Sequence, residues 1–136
     1  MIDIPWLIQT LLQWQGVPWH HQGRSREGVD CAGLALCALA EQDVHIDVPA
    51  NYAPSAAAAL LLAAVERVDL LQRLDPAEPA AGDVLVFRIR REPQHLAIAL
   101  GDGRMIHAVR GAGVVAVTIS ALWRERLVAR YGWRHG

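Results

Sequence analysis

Cys31 follows Asp30 at the start of an apolar run, Cys31-Ala32-Gly33-Leu34-Ala35-Leu36-Cys37-Ala38-Leu39-Ala40. Asp is a favoured helix N-cap, so the run reads as a buried helix with Cys31 in its first turn. The unpaired N–H groups and partial positive charge at that end favour a thiolate, and a thiolate so placed is a nucleophile. The plainer alternative is a cysteine acting as a small buried hydrophobe. Cys37, deep in the apolar run, fits that alternative better than Cys31, which follows a glycine-rich polar loop. The two thiols are not expected to bridge. Six residues of helix rise about 9 Å, beyond the roughly 7 Å Cα limit of a disulfide.

A thiol nucleophile needs a base, and the base needs an orienting partner. His95 opens one β-prone run and His107 lies within the next, across Gly101-Asp102-Gly103. Side chains alternate faces along a strand. A three-residue Gly-Asp-Gly loop, or one bulge, would put both histidines on one face, two positions apart. A strict two-residue Asp-Gly turn would put them on opposite faces. Taken singly, each could be a structural histidine; the pair together with Cys31 shifts the balance towards a nucleophile with a base and an orienting partner.

Other readings of the same residues are weaker. His20, His21, Cys31 and Cys37 are zinc-ligand types, but their spacing matches no paired-ligand pattern. Gly101-Asp102-Gly103 lacks the lysine and following helix of a phosphate loop. Arg88, Arg90 and Arg91 read as a solvated strand edge rather than a grip on an anionic polymer. The five tryptophans read as core and groove lining.

The elements that must position these groups are legible in outline. Ile4, Leu7, Ile8, Leu11 and Leu12 form the apolar stripe of a helix over residues 4–15, with Asp3 as cap and Gly16 as stop. Residues 16–29 form a polar loop. The Asp30-capped helix follows, then an extended connection over residues 43–54. Ser55 is expected to cap a third helix over 56–66. From there the period changes, and residues 83–89, 95–100, 104–109, 114–119 and 128–133 read as strands. Helices first and antiparallel strands second make an α+β domain spanning residues 1–136.

The 136 residues suit one domain. Thirteen basic and 14 acidic residues leave a net charge of −1, and 53% of residues are hydrophobic. This excludes a disordered chain and lacks the basic footprint of a nucleic-acid binder. The first six residues hold no basic residue and resemble no secretory leader. The most apolar run, residues 56–65, is half the length that crosses a bilayer. The chain is therefore expected to be soluble, made in the cytoplasm without a signal peptide or membrane insertion, and carried by other means if it acts outside.

Three blocks together resemble the NlpC/P60 family of cysteine peptidases. They are Gly16-Val17-Pro18-Trp19-His20-His21-Gln22-Gly23 running into Gly28-Val29-Asp30-Cys31-Ala32-Gly33-Leu34, Ala81-Gly82-Asp83-Val84-Leu85-Val86-Phe87, and residues 95–108 with their two histidines. The resemblance implies a papain-like α+β fold in which N-terminal helices pack on an antiparallel sheet. It implies hydrolysis of amide bonds in peptidoglycan stem peptides, typically between γ-D-glutamyl and a diamino acid, with no metal or other cofactor. It makes Cys31 the nucleophile, His95 the general base and acid, and His107 the residue orienting His95, with the Cys31 N–H helping to hold the oxyanion. Trp19 and Asp30 would border the substrate. The His20-His21-Gln22-Gly23-Arg24 loop is most similar to a subgroup carried in phage and prophage tail regions, which implies tail assembly proteins as partners. Two positions depart from the family: Trp19 stands where Tyr is usual, and Ala32 where Ser is common. An indole donates a hydrogen bond but cannot accept one. The same core would also suit an inactive tail module or a secreted antibacterial amidase.

Overall fold

The computed structural model describes residues 2–49, 51–89 and 92–134. Helix α1, Ile4–Gln13, opens on Asp3, whose carboxylate accepts the Trp6 N–H at 2.9 Å. It stops two residues short of the expected 15, because Trp14 N–H already turns back to Leu11 O and Gly16 takes φ +88°. The polar loop that follows holds a small ribbon, β1 Arg24–Ser25 and β2 Gly28–Val29. Helix α2, Cys31–Ala40, starts as the sequence indicates, with Asp30 accepting the Gly33 N–H. Both cysteines lie on it and are free, but Cys37 is half-buried rather than deep in the core.

Helix α3, Ala57–Arg67, corrects the expected Ser55 cap. Pro54–Ala56 form a 3₁₀ turn that absorbs Ser55, and Ala56 stands at the N-cap with no side-chain bond. The fixed φ of Pro54 suits the start of such a turn. Strands β3 Leu71–Leu74, β4 Val84–Ile89, β5 Glu92–Ala99, β6 Arg104–Val109, β7 Gly113–Thr118 and β8 Leu127–Trp133 make one sheet in the order β3-β8-β4-β5-β6-β7. All of its pairings are antiparallel. Strand β3 and the six-residue helix α4, Ala121–Arg126, were not apparent in the sequence pattern.

The sheet separates two apolar layers by residue parity. Val84, Leu96, Ile98, Ile106 and Ala108 join the core built with α1, α2 and α3. Leu85, Phe87, Ala97, Ala99 and Met105 form a second cluster, closed by Ile119, Val117, Leu127 and Trp123 of α4. This is the period-2 alternation of a sheet covered on both sides.

Four features place the site. Leu100 N–H donates to Arg104 O at 2.8 Å, so Gly101-Asp102-Gly103 is a three-residue loop. Gly101 and Gly103 supply the positive φ values, +97° and +79°, that the reversal needs. β4 is irregular against both neighbours at one level: its register shifts between Phe87 and Arg88 on β5, and between Val86 and Phe87 on β8. Such bulges re-aim nearby side chains, and Phe87 pairs directly with His95. Asp83, at the foot of β4, accepts from Ala80 N–H and from the Arg130 guanidinium at 2.7 Å, clamping β4 to β8. Finally, a Cβ on Gly33 would sit 2.0 Å from Gly23 O. Only glycine lets the 16–29 loop close onto the first turn of α2.

Candidate active site

The loop length settles the histidine geometry. Ile98 pairs with Ile106 and Ala99 with Met105, so continuing the register sets His107 opposite Ala97, two residues from His95. The rings share a face, and His95 Nε2 lies 2.7 Å from His107 Nδ1. Burial holds the His95 imidazole down to about 4, with the neighbouring His107 adding to the effect. Burial alone does the same to His107, also to about 4. Both rings are therefore neutral at pH 7, and a hydrogen bond between them needs one donor. If His95 Nε2–H donates to His107 Nδ1, then His95 Nδ1 keeps its lone pair. That is the tautomer a base requires.

Phe87 and Trp123 enclose the pair. The Trp123 indole stacks on His95 at 5.6 Å between centroids with planes 27° apart, and meets His107 edge-on at 5.5 Å. Phe87 lies 6.3 Å from His95 and 4.9 Å from Trp123. These rings exclude water from one side of the base, which is why its charged form is disfavoured. Trp123 belongs to the site although nothing in the sequence pattern assigned it there. Ser120, which accepts the Trp123 N–H at 3.3 Å, was the available helix-start signal.

Cys31 sits in the first turn of α2 as expected, but its thiol is not a lowered one. The residue is 7% exposed, and burial, reinforced by the Asp30 charge, pushes the thiol up to about 12. The amides of Leu96, Ala32 and Cys31 pull the other way without prevailing. Desolvation thus outweighs the helix terminus that the sequence brings forward. The Leu96 amide, which acts on the sulfur, is one residue from His95. Among the described residues, however, Cys31 and His95 make no hydrogen bond with each other.

Asp30 is 3% exposed and its carboxylate is heavily engaged. Oδ1 accepts Gly33 N–H at 2.7 Å and lies 3.7 Å from Arg24 Nη1. Oδ2 accepts Gln22 N–H at 3.1 Å and the Tyr52 hydroxyl. Arg24 Nη1 also donates to the Tyr52 oxygen at 3.0 Å. Asp30 therefore ties the loop, the Tyr52 segment and α2 together around Cys31. Tyr52 and Arg24, absent from the sequence-derived site, complete this frame.

A cleft of about 610 Å³ opens beside His95, with Trp19, Ser55, Ile89, Arg110 and Trp123 among its walls. Trp19 is bridged through its backbone to Val29, the residue before Asp30's turn. Ala32 is fully buried in the core. Cys31 is buried and is not among the residues that line the cleft. Among the described residues, no three His, Cys, Asp or Glu side chains gather as a metal-holding group. Arg88 is exposed, but β4 lies between β8 and β5 rather than at an edge of the sheet; Arg90 and Arg91 lie outside the described residues. Among the described residues no helix is long and apolar enough to cross a membrane.

Comparison with known proteins bears on this geometry. A family model described as the NlpC/P60 family matches residues 16–131. The murein DD-endopeptidase MepS/murein LD-carboxypeptidase of Escherichia coli K12 is 22% identical over 121 residues, covering 88% of this chain. The chain spans 57% of the length of that relative. In fold, it is similar to the NlpC/p60 domain of the peptidoglycan hydrolase SagA, with TM-score 0.70, 20% identity, and coverage of 96% of this chain and 99% of that one. It is similar also to the peptidoglycan hydrolase RipB of Mycobacterium tuberculosis, with TM-score 0.66, 22% identity, and coverage of 94% and 62%.

Proposed function

The chain belongs to the NlpC/P60 family, and from that premise we propose that it is a cysteine peptidase hydrolysing amide bonds of peptidoglycan stem peptides, between γ-D-glutamyl and a diamino acid. The observation that carries the reading is half-buried His95 on a cleft wall, hydrogen-bonded at 2.7 Å to the buried His107. Relatives named as murein and peptidoglycan hydrolases support the substrate class.

In this reading the Cys31 thiol gives its proton to His95 Nδ1 as Sγ attacks the scissile carbonyl carbon. The resting pair is neutral, thiol and imidazole. Proton transfer forms thiolate and imidazolium together, so each new charge offsets the other's burial. The backbone N–H of Cys31, at the start of α2, helps to hold the tetrahedral oxyanion. His95 returns the proton to the leaving amine as the C–N bond breaks, leaving a thioester. A water, deprotonated by His95, then hydrolyses the thioester to a carboxylate and restores the thiol. His107 Nδ1 accepts the Nε2–H throughout and stabilises the imidazolium. Asp30 serves this chemistry as the frame around Cys31, and Trp19 as a cleft wall that meets substrate.

We place the enzyme in a phage or prophage tail, made in the cytoplasm and brought to the wall by the particle or at lysis. The support for this is the His20-His21-Gln22-Gly23-Arg24 loop. A second reading, an inactive module of the same fold, draws on one observation: the buried Cys31 thiol makes no hydrogen bond to His95. Digestion of defined muropeptides, with mass spectrometry of the fragments, separates the two. Cleavage at the γ-D-glutamyl bond supports the peptidase; intact muropeptides support the inactive module.

A further inference from the structure

Arg110 lies three residues beyond His107, at the turn that ends β6. Its guanidinium carbon is 4.7 Å from the centroid of the Trp19 ring. Both residues line the cleft that also exposes His95. Apart from His95 and the Ser55 hydroxyl, the remaining lining side chains are apolar or the Trp123 indole. Arg110 is thus the one permanently charged side chain among the described lining residues. Among the described residues no carboxylate pairs with it.

This arrangement suits anion capture. An arginine resting on an aromatic face keeps its charge while its mobility is reduced. The planar fork then presents parallel N–H donors matched to the two oxygens of a carboxylate. The indole shields one face of the ion pair from water, which strengthens it. The arginine and the indole thus form one unit on this wall. The chain's path ties the unit to the base: His107, Ala108, Val109 and Arg110 are consecutive, and His107 bonds His95.

Resting on the peptidase reading, we propose that Arg110, stacked on Trp19, anchors the free α-carboxylate of the γ-glutamyl residue and so makes that carboxylate a specificity determinant. A γ-linked glutamyl residue leaves its α-carboxylate free, three carbons from the scissile carbonyl. Amidation of that group removes its charge and leaves the scissile bond untouched. The enzyme therefore discriminates stem peptides by the state of a group that does not react.

The test uses two matched γ-D-glutamyl peptides, one with a free α-carboxylate and one with an α-carboxamide. Wild type is expected to favour the acid by about 10- to 100-fold in kcat/KM, the range for a charge-assisted bidentate pair. Arg110→Gln is expected to cleave the two at equal kcat/KM, Arg110→Lys to keep a reduced preference, and Arg67→Gln, exposed at the end of α3, to keep the full one. Equal cleavage of the two peptides by wild type, or an undiminished preference in Arg110→Gln, overturns the anchor. Digestion of purified peptidoglycan in parallel reads the peptidase assignment itself. Calorimetry of both peptides on Cys31→Ala keeps the anchor falsifiable if no cleavage occurs. Acid-selective binding that Arg110→Gln abolishes supports the anchor even then, and equal or absent binding overturns it.

Discussion

His95 Nε2 and His107 Nδ1 stand 2.7 Å apart on neighbouring antiparallel strands, and the relationship depends on the three residues that join those strands. A loop one residue shorter would turn His107 to the other side of the sheet. The enclosing Phe87 and Trp123 rings then keep water from one side of the pair, which gives it a definite pH behaviour.

His95 must be neutral to accept a proton, and its imidazole sits at about 4 in the folded protein. Activity is therefore retained as pH falls below the ordinary histidine value and is lost only as pH approaches that lower figure. The thiol, at about 12, adds no loss on the alkaline side below pH 9. A kcat/KM profile on a synthetic γ-glutamyl peptide is expected to be level from about pH 5 to 9. Trp123→Ala admits water to His95 and should move the acidic limb upward, toward the ordinary value of about 6.5.

His107 works through His95 rather than on substrate. His95→Ala is expected to lose about 10³- to 10⁴-fold in kcat, the upper range for a general base. His107→Ala should lose roughly 10- to 100-fold, since an orienting residue is less essential than the base. His107→Asn, which restores an acceptor for Nε2–H, should recover most of that loss without changing KM. Equal losses for the Asn and Ala variants would argue for a purely structural role.

The two cysteines differ in exposure in the opposite sense to their suggested reactivity. Cys31 is buried and its thiol is raised to about 12; Cys37 is half-buried, and burial raises its thiol too, with Arg24 and Arg26 partly opposing that rise. Alkylation of the folded protein at pH 8, followed by peptide mapping, should label Cys37 first. In denaturant the two should label at equal rates. Faster labelling of Cys31 in the folded state would show that its pocket opens readily.

Asp30 holds the nucleophile's surroundings by charge. Asp30→Asn loses part of the bonding to Gly33, Gln22 and Tyr52 and leaves Arg24 without its anion. Removing a buried charged acceptor of this kind costs about 1–3 kcal/mol. Thermal or urea unfolding measures it. The same variant should lower the Cys31 thiol, because the Asp30 charge is one of the causes raising it.

How much of this was readable beforehand follows from where the determinants lie. Asp30 as a cap, the strand pairing and the shared face of the histidines rest on local rules of capping, parity and loop length. The positions of Cys31, His95 and His107 followed from those rules and from the family resemblance together. Ser55 does not cap α3 because Pro54, three residues before the helix, starts a 3₁₀ turn that a capping rule alone does not weigh. β3 and α4 are short, and their burial is decided by partners distant in the chain, Tyr131 and Trp133 for β3, Phe87 and His95 for Trp123. The raised thiol of Cys31 departs from the sequence expectation for the same reason. A helix terminus is a local property, whereas burial by the rest of the molecule is not.

The most direct measurement compares peptide release from purified peptidoglycan by wild type and by Cys31→Ala, with circular dichroism to verify that both are folded. The account predicts release by wild type, none above background by Cys31→Ala, and the same spectrum for both. Undiminished release by the folded Cys31→Ala variant would contradict it.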